Sequence, residues 1–213
     1  MKTADIRNLF KELYSADHSG ATVEILGASF EADEITIFGT PDQDYIQREV
    51  AWYYSQSLNV HDIPGVTPTI WLQVANDKGF INSNYGWCIW SKENGYQYNN
   101  VLAELQRNPY SRRATMIYNR PTMHIDCVAN GMNDFICTNA VSYYIRNGAL
   151  DAVVQMRSND AVYGYKNDRA WQLEVQRLLS KDLNIPVGKL YWQVQNLHVY
   201  SRHYKLIEQY SKD

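Results

Sequence analysis

The sequence has few cysteines, and those it has form neither a disulfide framework nor a metal-binding pattern. Cys88, Cys127 and Cys137 are an odd number, and no two of them have C-x-x-C spacing. The histidines show no ligand spacing with cysteine or carboxylate residues, so we predict that the protein binds no metal. Three isolated cysteines are typical of a reduced, cytoplasmic protein.

The sequence also lacks long hydrophobic runs and a strong net charge. No segment approaches the roughly 18 consecutive apolar residues of a membrane span, and the N-terminus has no apolar signal region. The formal net charge is −3, which gives no long-range attraction to nucleic acid or an anionic membrane. We therefore expect no direct nucleic-acid or membrane partner. A length of 213 residues favours a single domain, residues 1–213.

Two common nucleotide-binding motifs are missing as well. The chain contains neither G-x-G-x-x-G nor G-x-x-x-x-G-K-[ST], which argues against Rossmann and P-loop binding. Aromatic residues are abundant instead, with 17 tyrosines and 6 tryptophans. Side chains of this kind suit strands and flat ligands.

Hydrophobic periodicity predicts a mixture of helices and strands. The predicted helices cover residues 6–13, 41–53, 99–107 and 167–183, and the predicted strands cover 21–26, 34–38, 114–118, 134–145, 149–156 and 190–200. Residues 146–148 read as a tight hairpin turn. Residues 61–95 are too irregular for an ordinary connection and are interpreted as a functional loop region. Asn167 or Asp168 is placed to cap the last helix.

Cys137, Arg157 and Ser158 form the first candidate site. A strand cysteine alone is usually a small apolar filler. A guanidinium and a hydroxyl beside a thiol can hold a phosphate and also favour the thiolate. The alternative for Arg157 is a surface ion pair.

Two further groups of polar residues are candidates for ligand binding. Arg112 and Arg113 follow Ser111, and paired arginines bind phosphate bidentately, although such pairs are also common on solvated surfaces. His198 and Tyr200 are two residues apart on one strand, so their polar ends share a face and could reach one sugar hydroxyl. The alternative is a histidine that is satisfied within an ordinary alternating strand.

Taken in order, these motifs resemble the thymidylate synthase superfamily, and within it the pyrimidine nucleotide hydroxymethylases. The resemblance covers residues 39–203. Its elements are Arg48-Glu49 with Trp52, Trp71, Asn84-Tyr85-Gly86, Ser111-Arg112-Arg113, Cys137, Arg157-Ser158-Asn159-Asp160, Gly164, Asp168 and His198-Val199-Tyr200.

The resemblance implies a fold and an assembly. The expected fold is α/β (α+β) and thymidylate synthase-like, with a mixed six-stranded sheet flanked by helices. Two such sheets would pack back to back in a homodimer whose active sites contain residues from both subunits. Residues 1–213 would then form one catalytic domain.

The resemblance also implies how a pyrimidine nucleoside monophosphate would be bound. Cys137 would be the nucleophile that attacks C6 of the base. The 5′-phosphate and the sugar 3′-hydroxyl would be held by side chains from several segments: Arg157 and Ser158 for the phosphate, Arg112 and Arg113 for the phosphate bound to the partner subunit, and His198 and Tyr200 for the sugar.

For the second substrate, the resemblance implies 5,10-methylenetetrahydrofolate as a co-substrate. Residues with folate-binding counterparts are Asp160, which would bind the pterin ring, Trp71 and Gly164. Glu49 would order water and transfer protons, and Tyr85 would lie near C5 of the pyrimidine.

Asp168 stands where thymidylate synthases carry an asparagine, and it decides which base is expected. An asparagine amide pairs with N3–H and O4 of uracil, whereas cytosine offers an N3 acceptor and a 4-amino donor. A protonated carboxyl group can donate to N3 and accept from the 4-amino group, and it can act as a general acid during thiol attack. The alternative role for Asp168 is a helix N-cap, and one side chain could serve both.

Two departures from the synthases refine the expected activity. The nucleophile lies in Ile136-Cys137-Thr138 rather than in Pro-Cys-His. The chain ends at Asp213, whereas synthases continue to a segment that closes over folate and excludes water. We therefore expect the product to be 5-hydroxymethyl-dCMP, made from dCMP by a deoxycytidylate 5-hydroxymethyltransferase. The alternatives are a dUMP or CMP hydroxymethylase, a thymidylate synthase, and a non-catalytic nucleotide-binding dimer.

Overall fold

The computed structural model describes residues 1–210. The chain end at Asp213, on which the hydroxymethyl expectation depends, lies outside the described residues. The chain divides into two compact units. The strand unit consists of Met1–Pro41 and Ile145–Asp213, and the helical unit consists of Asp42–Tyr144.

Three helices of the strand unit lie within residues 1–210. They are α1 (Thr3–Ala16), α7 (Gly164–Asp182) and α8 (Tyr204–Glu208). Helix α7 forms because Trp171, Val175 and Leu179 recur at four-residue intervals, which gives one apolar stripe along the helix. All three side chains are fully buried, so α7 is held by packing along its whole length.

Three strands form the sheet of this unit: β1 (Thr22–Glu31), β4 (Ala149–Asp160) and β5 (Val187–Tyr200). Strand β5 lies between the other two, antiparallel to β1 and parallel to β4. Helix α7 follows β4 and precedes β5, which is the crossover that two parallel strands require. The helix therefore begins at the carboxyl end of β4.

The buried face of all three strands shifts by one residue at the same level of the sheet. Strand β4 buries positions 150, 152, 154 and 156 and then 159; β5 buries 190, 192 and 194 and then 197 to 199; β1 buries 23 and 25 and then 28 and 30. The register places Asn159 and Ile25 opposite Leu197. Side chains of a strand alternate between its faces, so the shift brings Asn159 to the buried side.

The helical unit contains five helices and a pair of strands. The helices are α2 (Gln43–Ser55), α3 (Thr69–Val74), α4 (Tyr85–Trp90), α5 (Gln97–Arg107) and α6 (Met123–Asp126), with 3-10 turns at Val60–Asp62 and Ala129–Gly131. Strand β2 (Thr115–Ile117) pairs antiparallel with β3 (Thr138–Arg146). Asp42 caps α2 by accepting the Tyr45 N–H at 3.0 Å, as short polar residues do at this position.

The sequence predictions of α1, α2, α5, α7 and of the strands near 21–26, 149–156 and 190–200 are confirmed. The hairpin turn is confirmed too, since Asn147 and Gly148 have φ values of 52° and 76°, the left-handed conformations that a tight hairpin needs. The described residues form a mixed five-stranded sheet, one strand fewer than the six that the resemblance implies.

Other predictions were wrong in their details. Residues 34–38 are not a strand; the Thr36 and Ile37 carbonyls instead accept hydrogen bonds from the Arg7 guanidinium. Residues 61–95 include α3 and α4 and are not simply a loop. Helix α7 begins at Gly164, so Asp168 lies inside its second turn and does not cap it. Cys137 immediately precedes β3 and does not lie within it.

Candidate active site

Asp168 is held by a buried amide in the strand unit. The Asn159 side chain donates from Nδ2 to Asp168 Oδ2 at 2.7 Å. Its own Oδ1 accepts from the indole N–H of Trp192 at 3.1 Å. Asn159 is at the end of β4 and Asp168 is on α7, so the hydrogen bond joins the strand to the helix that follows it.

His198 and Tyr200 lie side by side, as their spacing predicted. Their rings are in edge-to-face contact, with centroids 4.8 Å apart. His198 Nδ1 is 3.1 Å from Asn196 Oδ1, and Asn196 Nδ2 donates to Glu24 at 3.1 Å. Sequence reasoning gave Asn196 no role, although it lies two residues before His198 and therefore on the same face of the strand.

Arg157 and Ser158 lie on β4 at the level where the buried face shifts, and both are half-buried. Ser158 is opposite Asn196 in the parallel register, and Asp160 is opposite His198. The predicted phosphate-binding and sugar-binding residues of this unit are therefore neighbours on two adjacent strands. A hydroxyl and a guanidinium near the carboxyl end of β4 can bind an anionic group.

Asp160 and Gly164 surround the start of α7. The Asp160 carboxylate accepts the Val162 N–H at 2.8 Å, which fixes the turn between β4 and the helix. A Cβ atom added to Gly164 would lie 2.9 Å from Asn159 Nδ2 and 3.6 Å from Asp168 Oδ2. Glycine at this position therefore leaves room for the Asn159–Asp168 hydrogen bond.

Glu49 is a buried ionisable group in the helical unit. Glu49 Oε1 accepts hydrogen bonds from the Tyr45 hydroxyl and from the Trp71 indole N–H, the latter at 3.1 Å. Trp71 also donates to the Tyr45 oxygen at 3.0 Å. Burial raises the pKa of Glu49 to about 7, and the hydrogen bonds from Tyr45 and Trp71 oppose the rise. A carboxyl group with this pKa can gain and lose a proton near neutral pH.

Tyr85 is the first residue of α4 and is fully enclosed. Its ring stacks on Tyr53 of α2, with centroids 5.2 Å apart, and meets Tyr118 edge to face. Asn84 caps α4 by accepting the Trp87 N–H at 2.8 Å and donates to the Trp52 carbonyl at 3.0 Å. The predicted Asn84-Tyr85-Gly86 motif therefore attaches α4 to α2.

Asp134 ties the segment that precedes Cys137 to the segment that precedes Tyr85. Its buried carboxylate accepts the Asn82 N–H at 2.6 Å, the Ser83 N–H at 2.8 Å and the Ser83 hydroxyl at 2.6 Å. Cys137 is half-buried, and its Sγ is 3.8 Å from the Phe135 carbonyl. Sequence reasoning missed Asp134 because an isolated aspartate before a strand carries no motif.

Arg112 and Arg113 are exposed and lie five and six residues after the end of α5. They line a surface depression of about 320 Å³ with Glu104, Arg107, Asn108, Tyr110 and Ser111. The buried Ser111 hydroxyl donates to Glu104 at 2.6 Å and accepts the Arg113 N–H at 3.1 Å. The backbone of the pair is thus fixed while both guanidinium groups are accessible.

The sites predicted from sequence are divided between the two units. The strand unit holds Arg157, Ser158, Asp160, Gly164, Asp168, His198 and Tyr200, and the helical unit holds Glu49, Trp71, Tyr85, Arg112, Arg113 and Cys137. Within residues 1–210 there is no group of three or more His, Cys, Asp or Glu side chains that could hold a metal ion. None of the described helices combines the length and apolar character needed to cross a bilayer.

The fold is that of the thymidylate synthases. The structure matches a thermostable thymidylate synthase A from Bacillus subtilis with a TM-score of 0.74 over 100% of this chain and 86% of that one, at 20% sequence identity. In sequence, the thymidylate synthase family matches residues 42–212. The chain belongs to this family, and the resemblance inferred from its motifs is confirmed.

Relatives within the family carry two different names. The chain is 54% identical to the deoxycytidylate 5-hydroxymethyltransferase of Enterobacteria phage T4 over 207 residues, covering 93% of this chain and 84% of the relative. It is also 54% identical to the protein of the same name from phage T2, covering 92% and 82%. The thymidylate synthase of Bacillus atrophaeus is 27% identical over 164 residues, covering 73% and 70%.

Proposed function

We propose that the protein is a folate-dependent deoxycytidylate 5-hydroxymethyltransferase. It would convert dCMP, 5,10-methylenetetrahydrofolate and water to 5-hydroxymethyl-dCMP and tetrahydrofolate. The observation that carries the proposal is the carboxyl group of Asp168, which Asn159 holds at 2.7 Å in a chain 54% identical to phage proteins of that name. Like a phage enzyme, it would act in the cytoplasm of the host cell, as a single catalytic domain.

Asp168 would recognise the base. Cytosine presents an unprotonated N3 and a 4-amino group, so it requires one donor and one acceptor from the protein. A protonated Asp168 supplies both, and it can pass its proton towards N3 as charge builds on the ring. With its proton on the oxygen that faces N3, this carboxyl group would disfavour uracil, whose N3–H and O4 present the opposite pattern.

Cys137 would form the covalent adduct. Its thiolate adds to C6, which makes an S–C6 bond and moves an electron pair to C5. 5,10-Methylenetetrahydrofolate supplies the one-carbon unit at the oxidation level of formaldehyde, so no external oxidant or reductant is needed. C5 bonds to this carbon as the carbon–N10 bond breaks, and loss of the C5 proton then expels tetrahydrofolate from N5 and leaves an exocyclic methylene on the base. Hydroxide from water adds to the methylene carbon, the electron pair returns to C5, and expulsion of the Cys137 thiolate restores the C5–C6 double bond.

Glu49 would donate and accept protons and would order water near the reacting carbon. Its pKa of about 7 makes both protonation states available at neutral pH, which general acid–base chemistry requires. Its hydrogen bonds to Tyr45 and Trp71 fix the orientation of one carboxyl oxygen. Tyr85, enclosed between Tyr53 and Tyr118, would lie near C5 of the base.

The remaining predicted residues would bind the two substrates. Arg157 and Ser158 would hold the 5′-phosphate, and His198 and Tyr200 the sugar 3′-hydroxyl. Asp160 fits a role at the pterin ring because its carboxylate can accept N–H groups and its position is fixed by Val162. Trp71 and Gly164 would complete the folate site.

The active unit would be a homodimer with shared sites. Arg112 and Arg113 are accessible on the surface, and a guanidinium pair presented in this way can bind a phosphate held by a second subunit. Two-fold symmetry would give each dimer two such sites.

A substrate panel tests the proposal. Purified protein is incubated with methylenetetrahydrofolate and dCMP, CMP or dUMP, and products are identified by mass spectrometry. We expect 5-hydroxymethyl-dCMP from dCMP and slower reaction of the other two. Turnover of dUMP without dCMP would overturn the base assignment.

A second experiment separates an enzyme from a nucleotide-binding protein. Release of tritium from C5-labelled dCMP should occur with the parent protein and vanish in Cys137→Ser, while dCMP binding survives. Exchange that persists in Cys137→Ser would refute the nucleophile assignment. Binding by the parent without exchange or product would indicate a non-catalytic dimer.

A further inference from the structure

We infer that Asn159 is a positioning residue that makes the Asp168 carboxyl group selective for cytosine. The inference rests on the proposed function and concerns a residue that contacts the candidate base reader, not the substrate. It assigns a separate role to each of the two carboxyl oxygens of Asp168.

The orientation of the Asn159 amide is fixed by Trp192. An indole N–H is only a donor, so the amide atom 3.1 Å from Trp192 Nε1 must be the oxygen, Oδ1. The amide nitrogen therefore faces Asp168 Oδ2 at 2.7 Å. Both Asn159 and Trp192 are buried, with 3% and 0% of their surfaces exposed, and a buried hydrogen bond of this kind is costly to break.

This arrangement places the acidic proton of Asp168. Because Nδ2 donates to Oδ2, that oxygen acts as an acceptor, and the proton of the neutral carboxyl group belongs on Oδ1. Oδ2 has two lone pairs, so it can accept from Asn159 and from the 4-amino group of cytosine together. Oδ1–H would then donate to N3, which matches the pattern of cytosine and opposes that of uracil.

The sheet and the helix confine Asn159 to this orientation. The shift of the buried face on β4 turns residue 159 towards the interior, next to Leu197 of β5. Gly164 closes the other side, because a Cβ there would approach Asn159 Nδ2 to 2.9 Å. The amide is thus held by two side-chain partners and a close backbone.

The alternative is that Asn159 merely ties β4 to α7. Gln176 shows what such a structural amide looks like in the same unit: its Nε2 donates to the Leu150 and Lys189 carbonyls at 2.7 and 3.1 Å, and it too is fully buried. Gln176 is two helical turns from Asp168. It therefore serves as a matched control for the loss of a buried amide.

The test measures base preference, defined as kcat/KM for dCMP divided by kcat/KM for dUMP. We expect Asn159→Ala to lower this ratio at least tenfold, mainly through kcat for dCMP, because the carboxyl proton is no longer restricted to one oxygen. Trp192→Phe keeps an aromatic ring but removes the N–H donor that fixes the orientation of the Asn159 amide. It should therefore lower the ratio roughly three- to tenfold. Gln176→Ala should reduce the denaturation midpoint and leave the ratio unchanged.

Different results overturn different statements. A parent protein that makes no 5-hydroxymethyl-dCMP overturns the proposed function before any variant is compared. If the parent does make it, and folded Asn159→Ala or Trp192→Phe keeps the parental ratio or loses activity equally on both substrates, the inference about Asn159 is wrong. Should Asn159→Ala fail to fold, the ratio measured for Trp192→Phe decides alone.

Discussion

At the scale of single residues, burial changes the acid–base chemistry of Glu49. Its pKa rises from the usual 4.5 to about 7 because the carboxylate loses contact with water. Between these two pH values the folded protein binds a proton that the unfolded chain releases, so the stability contributed by protonation is lost as the pH rises through about 7. Each pKa unit corresponds to about 1.4 kcal/mol.

Glu49→Gln should therefore remove part of the pH dependence of stability. From pH 4 to pH 8, we expect the free energy of unfolding of the variant to rise by about 3 kcal/mol relative to that of the parent. The reason is that glutamine can still accept a hydrogen bond from Trp71 and does not become charged as the pH rises. Urea denaturation at both pH values gives the free energies of unfolding. Asp44→Asn, at a carboxylate that is 81% exposed, is the control. A parent–variant difference that is the same at both pH values would contradict the raised pKa.

Gly86 is required for a steric reason. A Cβ atom at this position would lie 1.7 Å from the Tyr53 carbonyl oxygen and 2.5 Å from its carbon. Backbone atoms cannot yield as a flexible side chain can, so Gly86→Ala must separate α4 from α2.

We expect Gly86→Ala to destabilise the protein by roughly 3 kcal/mol or more, in the upper range for single substitutions. Gly20→Ala is the matched control, because its nearest non-neighbouring atom would be 3.4 Å away, and it should change stability by less than about 0.5 kcal/mol. Thermal or urea denaturation of both variants provides the comparison. Equal stability of the two would show that α4 does not approach α2 so closely.

At the scale of elements, Asp134 connects two segments that each lead to a candidate catalytic residue. Its three accepted hydrogen bonds from Asn82 and Ser83 link the start of α4 to the approach to β3. Loss of the carboxylate leaves three donors in a buried region, and an unsatisfied buried donor costs about 1–3 kcal/mol.

Asp134→Ala should accordingly lower stability by about 3–5 kcal/mol, and kcat should fall because Cys137 and Tyr85 lose their common support. Asp134→Asn, with one oxygen retained, should show a smaller loss of stability. Denaturation midpoints and dCMP turnover measure the two effects. Retention of parental stability and kcat in Asp134→Ala would exclude a supporting role.

At the scale of the whole molecule, the proposed shared sites predict complementation between two inactive variants. Arg113→Ala and Cys137→Ser would damage residues that a given site receives from different subunits. A mixed dimer then has one site with both defects and one intact site. Random reassortment gives half mixed dimers, so activity should return to roughly 25% of the parent.

The measurement compares dCMP turnover of the two variants separately and after joint refolding. Sedimentation should show a particle of twice the 24.7 kDa chain. Activity that does not exceed the mean of the separate variants would argue that each site is made by one subunit.

Much of this molecule follows from local sequence signals. The four-residue apolar repeat of α7, the Asn147-Gly148 turn and the alternating β5 are each favoured by properties of a short segment. The roles of the motif residues come from the resemblance to the thymidylate synthase family, and His198 and Tyr200 lie together because residues two apart share a strand face.

Other features depended on contacts between distant segments. The sequence of residues 34–38 is typical of a strand, but the Arg7 guanidinium donates hydrogen bonds to two of their carbonyl groups. Helix α7 starts at Gly164, before the apolar repeat indicates it, so the prediction that Asn167 or Asp168 caps the helix is wrong. Asp134 and Asn159 lie in segments whose partners are 51 and 9 residues away, and no local pattern marks such pairs.

The family, most of the elements and the chemical types available for catalysis could be predicted from the sequence, because these depend on short-range periodicity and on ordered motifs. The protonation and orientation of those groups depend on tertiary contacts. The raised pKa of Glu49 requires burial, and the orientation of Asp168 requires Asn159, Trp192 and Gly164 to meet around it. Protonation and hydrogen-bond direction are properties of an environment, and that environment exists only after the chain has folded.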